Sequence, residues 1–215
     1  LNYEEAQMEI KRFESDMMAS NMYLLSENGH AVVIDPCRDT SPGSGLKTDA
    51  LILTHEHYDH ISGVNAWKDA YGAPVICSRA CAVNIGTSRK NMSRYFEAFS
   101  QMQTYARQDE HVSIEKNYCC TAEFTFDDQM QFYWQDNFFE LFALPGHSDG
   151  SIGIMVNRCN FFSGDSLFEE HEVELGFPGG DREKWKTISS GRLAGLPEGI
   201  IVYPGHYKEF VRRRR

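Results

Sequence analysis

LILTHEHYDHISG, residues 51–63, places three histidines and two carboxylates directly behind a short apolar run. His55, His57 and Asp59 lie two residues apart, so in an extended segment their side chains project to one side; His60 then opens a following helix. A loop leaving a strand at its C-terminal edge can aim several ligands into one small volume. A solvated loop with Asp59 capping the helix is the competing reading, and the rest of the chain weighs against it.

Downstream, FFELFALPGHSDGS puts His147 after an apolar strand and a Pro-Gly turn, NFFSGDSLF puts Asp165 after another strand, and GIIVYPGHY puts His206 after the last. Five of the eight histidines thus follow one pattern. His30, His111 and His171 fall outside it and read as surface or locally satisfied polar residues. Three His plus a carboxylate, and an Asp-His pair plus a third His sharing that carboxylate, make two N/O ligand sets suited to zinc, with iron or manganese also accepted. Two such ions roughly 3.5–4 Å apart can hold a hydroxide and bring the pKa of water from 15.7 towards about 7.

Outward from these motifs the pattern alternates strands and helices. SNMYLLSENGHAVVIDPC reads as a hairpin turning at Asn28 and Gly29; DALILT and PVICS are short buried strands. Between them Ile61, Val64, Trp67 and Tyr71 recur at helical spacing before Gly72 and Pro74. Residues 79–107 read as helical, with Tyr95, Phe96, Phe99 and Met102 on one apolar face, and the 92–105 stretch is expected to wall a cleft. The second half returns to strands (CTAEFTF, QMQFYW, FFELFAL, SIGIMV, NFFSG). A helix over 181–196 with Trp185, Ile188 and Leu196 on one face, and the strand GIIVYP, follow. Two β-rich layers flanked by helices result, with no linker, repeat or low-complexity tract, so residues 1–215 are expected to form one domain.

Composition agrees with a compact soluble chain: 215 residues, 41% hydrophobic and 24% charged. The net charge of −10 repels a nucleic-acid backbone, and the basic run Arg212–Arg215 reads as a solvated tail. No stretch reaches the roughly 18 apolar residues of a membrane span, and the N-terminus has no signal-peptide core. The six cysteines lack C-x-x-C spacing and read as mostly reduced and buried. A cytoplasmic protein acting on a small molecule, without nucleic-acid or membrane partners, is the expectation.

Taken together, the 20–36 hairpin, THEHYDHISG, PGHSDGS, FSGDSLF and VYPGHY resemble, in order and rough spacing, the metallo-β-lactamase-fold hydrolases and within them the glyoxalase II (hydroxyacylglutathione hydrolase) branch. The resemblance implies an αββα sandwich. It implies that His55, His57 and His147 bind a first metal, that Asp59, His60 and His206 bind a second, and that Asp165 bridges them, with two Zn2+ as the leading occupants. Asp59 would also be catalytic, orienting a metal-bridging hydroxide and handling a proton while the metals polarise the scissile carbonyl.

The implied activity is hydrolysis of a small thioester, ester or lactone. Departures from the branch concern the substrate: Leu175, Gly176 and Phe177 stand where relatives commonly carry Gly-Arg-x-Asp, Asp149 replaces a usual Pro, and Tyr207 a frequent Gly. Nine residues follow His206 here, too few for the helical domain with which full-length glyoxalase II enzymes grip glutathione, so ester or thioester hydrolysis is expected more than glutathione as the handle. The rival within the fold is a persulfide dioxygenase using one iron held by two His and an Asp. A β-lactamase is disfavoured by the bridging Asp, an RNA nuclease by the acidic charge, and a metal-free binding homologue by the complete ligand set.

Overall fold

In the computed structural model, which describes residues 7–98 and 113–213, strand alternation builds the core. In β2 (Asn21–Glu27) and β3 (His30–Ile34), Met22, Leu24, Ala31 and Val33 face a helical layer, whereas Tyr23, Leu25, Val32 and Ile34 face a second sheet. Period-two burial on both faces is the mark of a sheet covered on each side. β4 (Lys47–Ile52) and β5 (Val75–Ser78) join them in parallel, β6 (Phe124–Phe126) pairs parallel with β5, and β1 (Glu9–Glu14) closes the other edge.

The second sheet has the same plan. β7 (Gln129–Trp134), β8 (Asn137–Ala143), β9 (Ile152–Val156) and β10 (Asn160–Gly164) run as an antiparallel meander; β11 (Ile201–Pro204) pairs parallel with β10, and β12 (Phe210–Val211) ends the order. Phe139, Leu141, Ile152, Ile154 and Phe162 meet the first sheet in the central core. The helices α1 (Tyr58–Ile61), α2 (Val64–Tyr71) and α3 (Arg79–Ile85) cover the first sheet. A C-terminal helix with Leu193 and Trp185 covers the second. The result is two mixed six-stranded sheets flanked by helices, the αββα order that the strand pattern suggested.

Local departures have physical causes. The expected single helix through Tyr71 is two helices, because Gly63 lies where a Cβ would stand 1.9 Å from the Cys37 carbonyl oxygen. Its own N–H donates to Pro36 O at 3.0 Å, so the chain turns there against β3's exit. Residues 79–107 are not one helix: α3 ends at Ile85, Asn91 donates its side-chain amide to the Ile85 and Tyr118 carbonyls, and Met92 takes φ +68° before a 3₁₀ turn at Ser93–Tyr95. Phe99 and Met102 lie outside the described residues, as does His111.

The C-terminal helix starts at Arg182 with Asp181 capping two backbone N–H groups, and carries a π turn over Trp185–Ser189 before its last stretch, Ser190–Ala194. The wider turn rotates the face, so Ile188 is exposed and Leu193 is buried instead. β1 and β12 are absent from the sequence-based expectation: four of the six β1 residues are charged, with Lys11 and Arg12 adjacent, and β12 has only two residues.

Candidate metal centre

Strand ends set the site. β3 and β4 run parallel and finish side by side at Ile34 and Ile52, with Asp35 and Thr54 just beyond. The Thr54 carbonyl accepts from Ile152 N at 2.8 Å, Asn21 N donates to Gly205 O at 2.7 Å, and Gly205 N to Gly164 O at 2.8 Å. The first two bonds join the sheets at one end and the third extends the β10–β11 pairing there, where the loops bearing the chemistry-carrying residues converge.

Structure brings all seven expected residues into that place. Ligand atoms of His55, His57 and His147 lie within 4.8 Å of one another, as do those of Asp59, His60 and His206. His57 Nδ1 is 3.0 Å from His147 Nε2. Asp59 Oδ2 is 3.4 Å from His60 Nε2 and 3.3 Å from His206 Nε2. Asp165 stands between the groups, 3.5 Å from His60 Nε2, His147 Nε2 and His206 Nε2. One detail differs from expectation: Asp59 and His60 both sit in the first turn of α1 with His57 at its N-cap, so Asp59 is aimed by helix geometry and not by an extended segment.

Outer groups orient the rings. Asp35, held at φ +51°, accepts from Thr54 N at 2.7 Å and Thr54 Oγ1 at 2.6 Å, and its Oδ2 meets His60 Nδ1 at 3.0 Å. That leaves His60 Nε2 facing the centre, the arrangement by which a carboxylate fixes a ligating imidazole. Thr54 Oγ1 lies 3.0 Å from His55 Nδ1, and His147 Nδ1 donates to Glu174 O at 2.7 Å. Glu56, fully buried, accepts from Asn84 Nδ2 at 2.7 Å, Ser148 Oγ at 2.9 Å and Gly150 N at 3.4 Å, tying the His55–His57 loop to the His147 loop. The turn bearing His206 is held through Pro204 O and Tyr207 O, both accepting from Asn21 Nδ2.

Gly205 has no room for a side chain: a Cβ would stand 2.1 Å from Asp165 Oδ1 and 2.8 Å from His60 Cε1.

Electrostatically the two groups differ. Burial and the neighbouring imidazoles hold His55 well below the ordinary histidine value, burial lowers His57, and burial with His57 pushes His147 down to about 4. His60 is buried too, yet the carboxylates of Asp59, Asp165 and Asp35 lift it to about 9. Against burial, the Asp165 and Asp59 carboxylates also raise His206 well above its usual value. Asp165 is held well below the carboxylate range, its burial outweighed by His206 and His60.

Whether the residues suit metal ions is answered by atoms left over. His55 Nε2 and Asp165 Oδ1 are buried with no hydrogen-bond partner among the described residues, a costly state for groups this polar. Imidazole nitrogens and carboxylate oxygens converging with orphaned lone pairs are the donor set that a divalent ion satisfies, releasing any ring protons as it binds.

The centre floors a cavity of about 440 Å³. Sequence reasoning missed the orienting Asp35, Thr54 and Glu56, although Asp35 follows β3 as Asp165 follows β10, which was the available signal. His30 is satisfied locally by Asp49 at 2.7 Å. His171 is exposed as expected but lines the cavity.

A probable metallo-hydrolase of Streptococcus pyogenes is 26% identical over 207 residues, covering 93% of this chain and 84% of that protein. The hydroxyacylglutathione hydrolase GloC of Haemophilus influenzae is 26% identical over 163 residues, 75% of this chain and 69% of its own. For a hydroxyacylglutathione hydrolase of Alkalilimnicola ehrlichii, 27% identical, the match covers 82% of this chain but only 56% of that protein. Among solved structures, the BLEG-1 B3 metallo-beta-lactamase superposes with a TM-score of 0.75, and TTHA1623 in a di-iron-bound form with 0.72. Each is 24% identical over 94% of both chains, so the likeness is one of fold. The model of the Metallo-beta-lactamase superfamily matches residues 16–206, a span that holds both sheets' site-bearing loops and all seven convergent residues, and the chain belongs to that superfamily.

Proposed function

We propose that the protein is a dinuclear metal-dependent hydrolase of a small thioester, ester or lactone. The observation that carries this reading is the meeting of a three-His cluster and an Asp-His-His cluster at one carboxylate, Asp165, on the floor of a cavity. His55, His57 and His147 would hold one ion, Asp59, His60 and His206 the other, with Asp165 between them. Zinc is the leading occupant for these donors, with iron or manganese as alternatives. Bound there, such ions lower the pKa of water towards about 7 and stabilise negative charge developing on a carbonyl oxygen.

The chain's own groups supply the rest. Asp59 faces the cavity and lies within 3.4 Å of two imidazole nitrogens. In this reading it takes a proton from the attacking water and returns it to the departing thiolate or alkoxide. Water adds to the acyl carbon as the C–S or C–O bond breaks, giving an acid and a thiol or alcohol. Cytoplasmic residence is proposed with it, supported by six cysteines that are all free. Among the described residues no helix is long and apolar enough to cross a membrane.

Metal analysis of protein isolated from its native host, with thiol release from a thioester panel, tests the reading. Two ions per chain with hydrolysis are expected, and Asp165→Ala is expected to lose at least one ion together with activity. One iron per chain with persulfide-dependent oxygen uptake would overturn it.

A further inference from the structure

Above its floor the cavity has walls and a rim of different character. Met18, Met92, Phe96, Phe168, Phe177 and Tyr207 wall it, and Glu14, His171, Glu172 and Glu174 stand exposed at the rim. No lysine or arginine lines it among the described residues. Arg12 is engaged by Asn21 Oδ1, the Tyr207 carbonyl and Glu209, and Arg38 by Asp16 and the Ser113 carbonyl.

The rim is also aromatic. His171 stacks on Tyr207 at 4.1 Å with 12° between the planes, and Phe168 meets Tyr207 edge-on at 5.7 Å. Tyr207 is fixed in this wall at φ +68°, its carbonyl accepting from Arg12 Nη1 at 3.0 Å and Asn21 Nδ2 at 2.7 Å.

Given the hydrolase reading, on which this inference rests, we propose that the rim selects the charge of the substrate: the leaving-group handle is ammonium-bearing, and carboxylate-bearing handles are turned away. Ring faces beside carboxylates are what an alkylammonium recognises. An anionic handle would lie beside the Glu172 and Glu174 carboxylates, with no lysine or arginine lining the cavity among the described residues to meet it, a repulsive element of the kind that sets specificity. Asp59 and Asp165 would offset half of the four positive charges that two divalent ions bring to the floor, and the rim itself stays acidic. Glu172 is the residue most directly assigned, since its carboxylate makes no hydrogen bond or ion pair among the described residues; Glu174 also caps Gly176 N at 2.6 Å.

The test has two arms on metal-loaded protein. In the first, thioesters of one acyl group on thiocholine, on its uncharged carbon isostere and on 3-mercaptopropionate are compared by thiol release. The expected kcat/KM falls in that order by about tenfold or more from end to end at low salt. The spread is expected to shrink as ionic strength rises and to narrow in Glu172→Gln, while Glu170→Gln, outside the lining, keeps it. An equal or reversed order would overturn the proposal.

In the second arm, binding of choline and of its neutral isostere 3,3-dimethylbutan-1-ol is measured by calorimetry. Choline is expected to bind several-fold tighter, with Glu172→Lys removing the preference; equal affinities would overturn the charge selection. Absence of turnover on all three thioesters, with choline still preferred, would instead count against the hydrolase reading alone.

Discussion

An Asp–His pair lies at each end of β3 and β4, the second completed by His60 of α1, and the two pairs have opposite fates. At the start of the strands Asp49 joins His30 at 2.7 Å, accepts from Trp134 Nε1 at 2.9 Å and meets Lys47 at 3.1 Å, with about a third of the His30 side chain exposed. Past their ends Asp35 joins His60 at 3.0 Å, and there the His60 side chain is 0% exposed. The first pair is satisfied within itself. The second pushes His60 Nε2 towards Asp59 and Asp165, beside His55 Nε2 and Asp165 Oδ1, which have no hydrogen-bond partner among the described residues. An Asp–His pair is therefore no sign of a metal site by itself; burial with uncompensated donor atoms is.

The largest expected break is Gly205→Ala. A methyl group would drive Asp165 from its place between the clusters, so loss of at least one ion is expected in metal analysis, with the unfolding midpoint of the metal-free protein showing whether the fold persists. Asp35→Ala follows. Removing one partner of a buried pair costs roughly 3–5 kcal/mol, read by denaturant unfolding. Loss of the orienting contact should weaken metal binding about 10–100-fold, read by chelator competition. Retention of full affinity would remove the distinction drawn between the two ends.

Glu56→Ala leaves the buried side-chain amide of Asn84 without its acceptor and removes the bonds from Ser148 Oγ and Gly150 N. It is expected to cost about 1–3 kcal/mol and to weaken metal binding through the His147 loop.

Asp49→Asn should matter least, within about 1 kcal/mol, with metal content unchanged. Its pH dependence gives the sign. Despite the cost of burial, hydrogen bonds from Trp134, His30 and Lys47 hold Asp49 below its ordinary value of 3.8. The ionised carboxylate thus stabilises the fold above that pH and loses its contribution as pH falls through the lowered folded value. The difference between wild type and Asp49→Asn in urea unfolding should be full near neutrality and vanish in strong acid.

How far the sequence could be followed depended on range. Strand-end motifs at THEHYDH, PGHSDG, SGDS and YPGH exposed the seven convergent residues because each motif is local: an apolar run of period two, a turn residue and a polar side chain. β1 was hidden because four of its six residues are charged and its two apolar ones, Ile10 and Phe13, lie three apart, which breaks the period of two, and the 79–107 stretch looked continuous because helical spacing says nothing of Asn91 drawing the chain away from its axis.

By itself the sequence determined the sandwich and the identity of the convergent residues, since periodicity and turn chemistry act over a few neighbours. Only the tertiary structure decided which of two Asp–His pairs is buried at a centre, that Asp59 is aimed by a helix, and that Glu172 and Tyr207 rim the cavity. Those outcomes depend on desolvation and on contacts between residues far apart in the chain, and no local pattern encodes them.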